Sequence, residues 1–428
     1  MHTSIIDSDL IRKQFPILSR RINGFPLIYL DNAASSQKPI QVRKKEEHFL
    51  DYFYSSIHRG SNILSDQSTE QVESVRYQIS KFINASDRSE IVFTKNTTES
   101  INLVAYSYVK KFIHSGDNII ISQMEHHSNI VPWYILSNQV GFEIRILPIN
   151  KEGEIDLKNL KKMIDSKTKF LSVTHMSNVL GTINPVRKII ECAKKFSDMK
   201  NSKLRVLIDG AQYISHYPVD VQRIDCDFYV FSGHKMYGPT GIGILYGKKK
   251  ILNQLDPWQS GGGMVKEMDI SYTSFDQKHK IKSITYEKSP WKFESGTINV
   301  VGIIGLGEAL KYISEIGYEN ISRYEEDLIR YTYYKLKEIR SIRLYGTLKK
   351  RKSIISFNIG RCHSYDIGRF LDLYSISIRT GHHCAIPLMN FYGVSSMCRI
   401  SFAIYNQKKE IDFLVEKLKY VEKLLSRE

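Results

Sequence analysis

Between about residue 70 and residue 250, short apolar runs rich in β-branched residues alternate with stretches of helical period. The runs at 90–94, 118–122, 143–147, 169–174, 205–208, 227–231 and 242–246 have the length and composition of strands. Such runs separated by helices predict a mostly parallel sheet flanked by helices. After Gly302 the pattern changes. Helices are predicted from 303 to about 316 and over 321–339, strands near 354–358, 376–379 and 398–403, and a last helix from 408. The expected fold class is therefore α/β, with a large domain over 26–300, a smaller α+β domain over 301–428, and an N-terminal segment, 1–25, packing near the smaller domain. Three successive glycines, Gly261 to Gly263, are too permissive for a regular element, so they and the residues to about Ile270 predict a mobile surface segment near the mouth of the site.

A chain of 428 residues can bury a large core. Its hydrophobic content of 42% and charged content of 25% are those of soluble domains, which argues against disorder beyond the termini. The net charge of +16 invites a polyanion partner. The basic residues are scattered, however; the run from Lys349 to Lys352 stands between predicted elements, and no nucleic-acid-binding motif accompanies it. Asp7 and Asp9 interrupt any apolar signal stretch, and no run approaches the roughly 20 residues of a membrane span. A soluble, cytoplasmic protein with no nucleic-acid or membrane partner is expected. Five cysteines without a Cys-x-x-Cys pair indicate neither a disulfide framework nor a zinc site.

Two predicted strands end in chemistry. Asp209 closes Val206-Leu-Ile-Asp209, and Lys235 follows Phe228-Tyr-Val-Phe-Ser-Gly-His-Lys235, so both side chains are expected at the sheet edge where ligands collect. An amine able to form a Schiff base, with a carboxylate able to hold a pyridinium nitrogen protonated, is what pyridoxal phosphate requires. Thr97 and Thr98 follow the strand 90–94 at a predicted helix N-terminus, where free N–H groups favour a phosphate, although plain N-capping by Thr looks the same. Ser232 and His234 supply a second wall. His126 and His127 follow the strand 118–122; one flat imidazole can stack on a cofactor ring, whereas a metal reading finds no further ligands at spacings that would close a site. Asn178 also follows a strand and suits a ring oxygen, a substrate carboxylate or a simple turn. Cys384 lies in Arg379-Thr-Gly-His-His-Cys384, a glycine-containing loop where a thiol beside two histidines is exposed and can be activated. Cys362 also neighbours a histidine but lacks the flanking Arg379 and the downstream Arg399, which could clamp a carboxylate.

With these segments assembled, and from Tyr29-Leu-Asp-Asn-Ala-Ala-Ser35 to Arg399, the chain resembles the SufS-type, group II cysteine desulfurases of the class V aminotransferase family. The resemblance implies fold-type I architecture, a homodimer, and conversion of L-cysteine to L-alanine with sulfur left as a persulfide on Cys384. It also implies roles. Lys235 is the Schiff-base lysine, Asp209 pairs with the pyridine nitrogen, Gln212 bonds to the ring's phenolic oxygen, and His126 stacks on the ring. Thr98, Ser232, His234 and, from the partner subunit, Thr297 hold the phosphate. Arg399 clamps the substrate carboxylate, with Asn178 and Arg379 nearby. The implied acceptor of the sulfur is a SufE-like or SufU-like protein serving the SUF scaffold of iron–sulfur cluster assembly. The nearest alternative reading is a selenocysteine lyase, since selenium on the same carbon needs no thiolate attack. Asn96 and Ser100 depart from the family's phosphate loop, where glycine is common, and Met199 to Lys203 reads as a short insertion.

Overall fold

The computed structural model describes residues 6–272 and 279–425. Residues 1–5 of the expected N-terminal segment and 426–428 of the expected small domain lie outside the described residues. The large sheet has seven strands: β1 (Ile91–Thr94), β2 (Asn118–Ser122), β3 (Glu143–Leu147), β4 (Thr168–Thr174), β5 (Arg205–Asp209), β6 (Phe228–Ser232) and β7 (Gly243–Gly247). Their order is β1-β7-β6-β5-β4-β2-β3. Only β7 runs antiparallel to its neighbours. Each strand lies within one residue of its predicted bounds.

The continuous apolar runs have a simple cause. Alternate side chains of a strand point to opposite faces, and here both faces are covered. Tyr229 and Phe231 of β6 join one apolar core with Val206 and Ile208 of β5, whereas Phe228 and Val230 join a second with Leu207. Parallel strands buried on both sides cannot alternate with polar residues.

A four-stranded antiparallel sheet follows, in the order Ile342–Tyr345, Ile354–Ile359, Met397–Ser401, Arg379–Gly381. The predicted strand 376–379 is in fact two. Ile376–Ser377 pairs in parallel with Ile28–Tyr29, and the chain changes sheets at Ile378 before Arg379–Gly381 joins Met397–Ser401. The expected division at residue 300 also falls early. The helix Val300–Ile316 buries Ile303, Leu306 and Leu310 in the core of the large sheet, packed on Ile40–Tyr52 and Ile63–Phe82. Gly307 permits that approach, since a Cβ there would stand 2.6 Å from Val75 Cγ2. The change of core comes within the next helix, Tyr318–Leu336, where Ile321 belongs to the first core and Leu328, Ile329 and Leu336 to that of the small sheet.

One arginine ties the N-terminal segment down. Arg12 donates to Glu410 Oε1 at 2.7 Å and to the Leu27 carbonyl at 2.9 Å. The segment after Gly263 differs from expectation. From Val265 it is a strand, paired antiparallel with His279–Tyr286, because cross-strand hydrogen bonding satisfies its backbone. Among the described residues no helix is long and apolar enough to cross a membrane.

Arg76 fastens the first strand. Its guanidinium is buried, pairs with both oxygens of Glu294 at 2.7 and 2.9 Å, donates to the Ile91 carbonyl, and lies 4.3 Å from the Phe93 ring centroid. Glu294 in turn accepts from the Phe93 N–H. Truncating one partner leaves the other buried and uncompensated, so Arg76→Ala is expected to cost about 3–5 kcal/mol. A thermal scan of the purified protein reads this as a clear fall in Tm; an unchanged Tm would refute it.

Candidate active site

The carboxyl-terminal ends of β4, β5 and β6 deliver Thr174, Asp209 and Ser232 to one edge, and a tight turn over Gly233–Lys235 sets Lys235 beside them. Together with the small sheet they enclose a cavity of about 270 Å³. Lys235, Asp209, Gln212 and His126 line it, as do Thr97, Thr98, Ser232 and His234. The opposing wall brings Asn178, Arg379, Cys384 and Arg399. Of the residues singled out in the sequence, His127 and Cys362 do not line it, and Thr297 stands apart in two other cavities with Glu294 and Ile298.

Burial sets the electrostatics. The Asp209 carboxyl is buried, takes one hydrogen bond from the Ala211 N–H at 2.9 Å, and has its pKa raised by desolvation, partly offset by the Lys235 charge. Desolvation lowers the Lys235 amine to about 8, against the pull of Asp209 and with the push of Arg399 and Arg379. His126 falls to about 3 through burial and the Lys235 charge, so its ring is neutral near pH 7. Burial takes His234 to about 4.

One side of the cavity is built around the helix Thr97–Val104. Ser232 Oγ accepts from the Thr97 N–H at 2.8 Å and shares a bond with Thr97 Oγ1. Thr98 Oγ1 meets Ser128 Oγ at 2.7 Å, and the Ser128 N–H donates to His126 Nδ1 at 3.1 Å. Asn96, the departure from glycine, has a use: its side chain caps this helix by accepting from the Glu99 N–H. Ser128 was not singled out in the sequence, although it stands two residues from His126. Glu125 was missed as well. Fully buried, it accepts from Ser122, from Asn129 at 2.6 Å and from the Thr174 N–H at 2.9 Å, and desolvation raises it to about 8. It thereby holds the histidine turn against β4.

On the other wall, Arg379 and Arg399 lie directly opposite each other in the antiparallel pair. Like charges so placed repel, and Asp31 answers both, at 3.0 Å from Arg399 and 3.7 Å from Arg379. Arg399 also donates to the Asn178 carbonyl at 2.9 Å, while its buried Nε has no partner among the described residues. The Asn178 side chain donates to the His383 carbonyl, so it positions the cysteine loop directly. His383 and Cys384 both have positive φ, 52° and 55°, an uncommon state for residues with a Cβ. The loop is pinned there by Asn178 and by the His127 N–H, which donates to the Cys384 carbonyl at 2.7 Å. Cys384 is half-buried. The further ligands that sequence spacing could not find for the histidine pair are also here: His127, His382 and Cys384 place donor atoms within 4.8 Å of one another.

The family model for class V aminotransferases matches residues 28–414. The chain belongs to the class V aminotransferase family. A cysteine desulfurase of Escherichia coli O8 is 50% identical over 417 residues, covering 97% of this chain and 98% of that one. Its counterpart in Escherichia coli K12 is 49% identical over 421 residues, covering 98% and 100%. Among solved structures, the Escherichia coli cysteine desulfurase CsdA superposes with a TM-score of 0.86 at 34% identity, covering 98% of this chain and 99% of that one. An apo cysteine desulfurase from Thermococcus onnurineus NA1 gives 0.88 at 34% identity, covering 99% and 100%. This class V aminotransferase is thus a fold-type I enzyme that depends on pyridoxal phosphate.

The cavity fits that cofactor. Ala33, Ala34 and Ala211 line it with short side chains, which leave room for a flat ring. A buried carboxyl with a single N–H donor calls for a cationic partner, which a pyridinium nitrogen supplies. The neutral His126 ring suits stacking, and the hydroxyl-rich helix start suits an anion.

Two outcomes are expected. In apoprotein, covalent capture of pyridoxal phosphate needs the unprotonated Lys235 amine, so its rate should rise roughly tenfold per pH unit up to about 8 and then level off; stopped-flow absorbance measures this, and a rise continuing past pH 10 would contradict it. Arg399→Lys loses the planar fork and should raise the KM for L-cysteine by roughly tenfold or more while leaving cofactor content unchanged. An unchanged KM assigns the carboxylate elsewhere.

Proposed function

We propose that the protein is a cysteine desulfurase of the SufS-like group II type, converting L-cysteine to L-alanine and holding the sulfur as a persulfide on Cys384. The observation that carries this reading is the placing of Cys384 in the same cavity as Lys235, Asp209 and Arg399, in a chain half identical to cysteine desulfurases. Residues 382–385 alone link the strand Arg379–Gly381 to the helix Ile386–Tyr392, a loop too short for the group I arrangement.

Bound pyridoxal phosphate supplies an electron sink that stabilises negative charge at the substrate α-carbon. The protein does the rest. Arg399, with Arg379 beside it, receives the substrate carboxylate and turns the side chain towards Cys384. Lys235, with its lowered pKa, moves protons near neutral pH. The face of His126 and the Gln212 amide would hold the ring, Asp209 would pair with its nitrogen, and Thr97, Thr98, Ser232 and His234 would hold the phosphate. The Cys384 thiolate attacks the substrate sulfur. The carbon–sulfur bond breaks with its electron pair left on carbon, a proton replaces sulfur there, and alanine departs.

Thr297, remote from Lys235 in its own chain, supports a homodimer in which it serves the partner's cavity. Five free cysteines support a reducing, cytoplasmic setting. The persulfide requires an acceptor thiol, for which a SufE-like or SufU-like carrier supplying the SUF scaffold of iron–sulfur assembly is the natural class.

Cys384→Ala tests the reading. The variant should fold, retain the cofactor absorbance, and lose alanine formation from L-cysteine by at least about a thousandfold, as expected for a lost nucleophile. Alanine release from L-selenocysteine in the same variant separates a selenocysteine lyase from a strict desulfurase. Retained desulfuration, or a persulfide mapped by mass spectrometry to Cys362, overturns the assignment.

A further inference from the structure

The mouth of the cavity carries a cluster that the proposed chemistry leaves unused. One ring nitrogen of His127, one of His382 and the Cys384 sulfur lie within 4.8 Å of one another. Cys384 also lines the cofactor cavity, whereas the two imidazoles stand outside it. Their ring centroids are 5.5 Å apart.

Backbone donors define the lone pairs. The Cys384 N–H donates to His382 Nδ1 at 3.0 Å, and the Ile386 N–H donates to His127 Nε2 at 3.2 Å. Those two nitrogens are therefore the unprotonated ones, as a metal ion requires. No carboxylate belongs to the set, which disfavours calcium or magnesium and suits a borderline metal that accepts nitrogen and sulfur. Two imidazoles and a thiolate with a fourth position open is a donor set that zinc uses when one ligand is exchangeable.

We infer that His127, His382 and Cys384 form a zinc-binding site at the cavity mouth, and that a bound ion withdraws Cys384 from sulfur transfer. The ion takes the two nitrogen lone pairs as the imidazole rings turn away from the backbone N–H donors. As the sulfur–zinc bond forms, the thiol proton leaves, one for each ion bound. Zinc bonds of about 2.0 Å to nitrogen and 2.3 Å to sulfur place tetrahedral ligands roughly 3.5 Å apart. The rings therefore close inward on the ion, for which His382, exposed, and His127, half-exposed, have room. That the ion silences the enzyme rests on Cys384 being the nucleophile; that it binds does not.

The test uses holoenzyme without substrate. Zinc is titrated against a chromophoric chelator, and cobalt, substituted for zinc, reports tetrahedral geometry at wavelengths beyond the cofactor's absorbance. One ion per chain is expected, with Cys384 protected from alkylation. His127→Ala, His382→Ala and Cys384→Ala should each weaken binding by at least about tenfold, and Cys362→Ala should not. Desulfuration by the wild type should fall with occupancy and return on chelation. Equal binding in all three variants, or alkylation of Cys384 undiminished by saturating zinc, overturns the inference. If Cys384→Ala still forms alanine while the wild type binds one zinc, the nucleophile assignment fails and the site stands. If the wild type binds none and Cys384→Ala is inactive, the site fails alone.

Discussion

The desolvation of Lys235 beside Asp209 is the constraint on which the rest of the cavity depends. A lone ammonium at such a depth is costly and titrates low, and a lone carboxylate there titrates high. Each is kept in use by the other, while the guanidinium of Arg399, itself buried and held by Asp31, pushes the amine further down. The seven-stranded sheet makes this possible. Parallel strands end together, so one edge collects Thr174, Asp209 and Ser232 over a core rigid enough to hold charges out of water.

The second wall belongs to a different sheet, and its fit to the first relies on a few polar ties. Asn178, just past β4, bonds to the His383 carbonyl and offers its own carbonyl to Arg399. His127, just past β2, holds the Cys384 carbonyl. Two loops of the large sheet thus grip one loop of the small sheet, and the left-handed backbone of His383 and Cys384 persists because both sides determine it. The Cys384 sulfur and the Lys235 amine are placed by separate layers, and their geometry is no better than this grip.

Much of this was legible in the sequence, for reasons tied to particular residues. The strands of the large sheet show because both their faces are buried, and the residues after Asp209 and Lys235 show because strand ends are local features. The helix Ile40–Tyr52 was not legible, since it buries only Val42 and Phe49 and carries charge elsewhere. The strand Ile342–Tyr345 buries only its last residue, and the break at Ile378 is decided by which partner each half finds. In the site, Asp31 and the meeting of His127 with His382 depend on contacts across most of the chain, which spacing cannot reveal. Thr297 was read as a phosphate ligand from the partner subunit, and within one chain it stays away from the cavity.

The pairing of Asp31 with Arg399 has a consequence for how the protein is made. The two residues are separated by 368 positions, so Asp31 leaves the ribosome long before Arg399. At translation speeds of about 5–20 residues per second, Asp31 waits roughly 20–70 s for its partner. Once β7 has been made, the lysine edge of the large sheet can form, whereas the wall bearing Arg399 and Cys384 cannot yet close over it. A nascent chain therefore passes through a stage that can capture a cofactor aldehyde before it can select an amino acid.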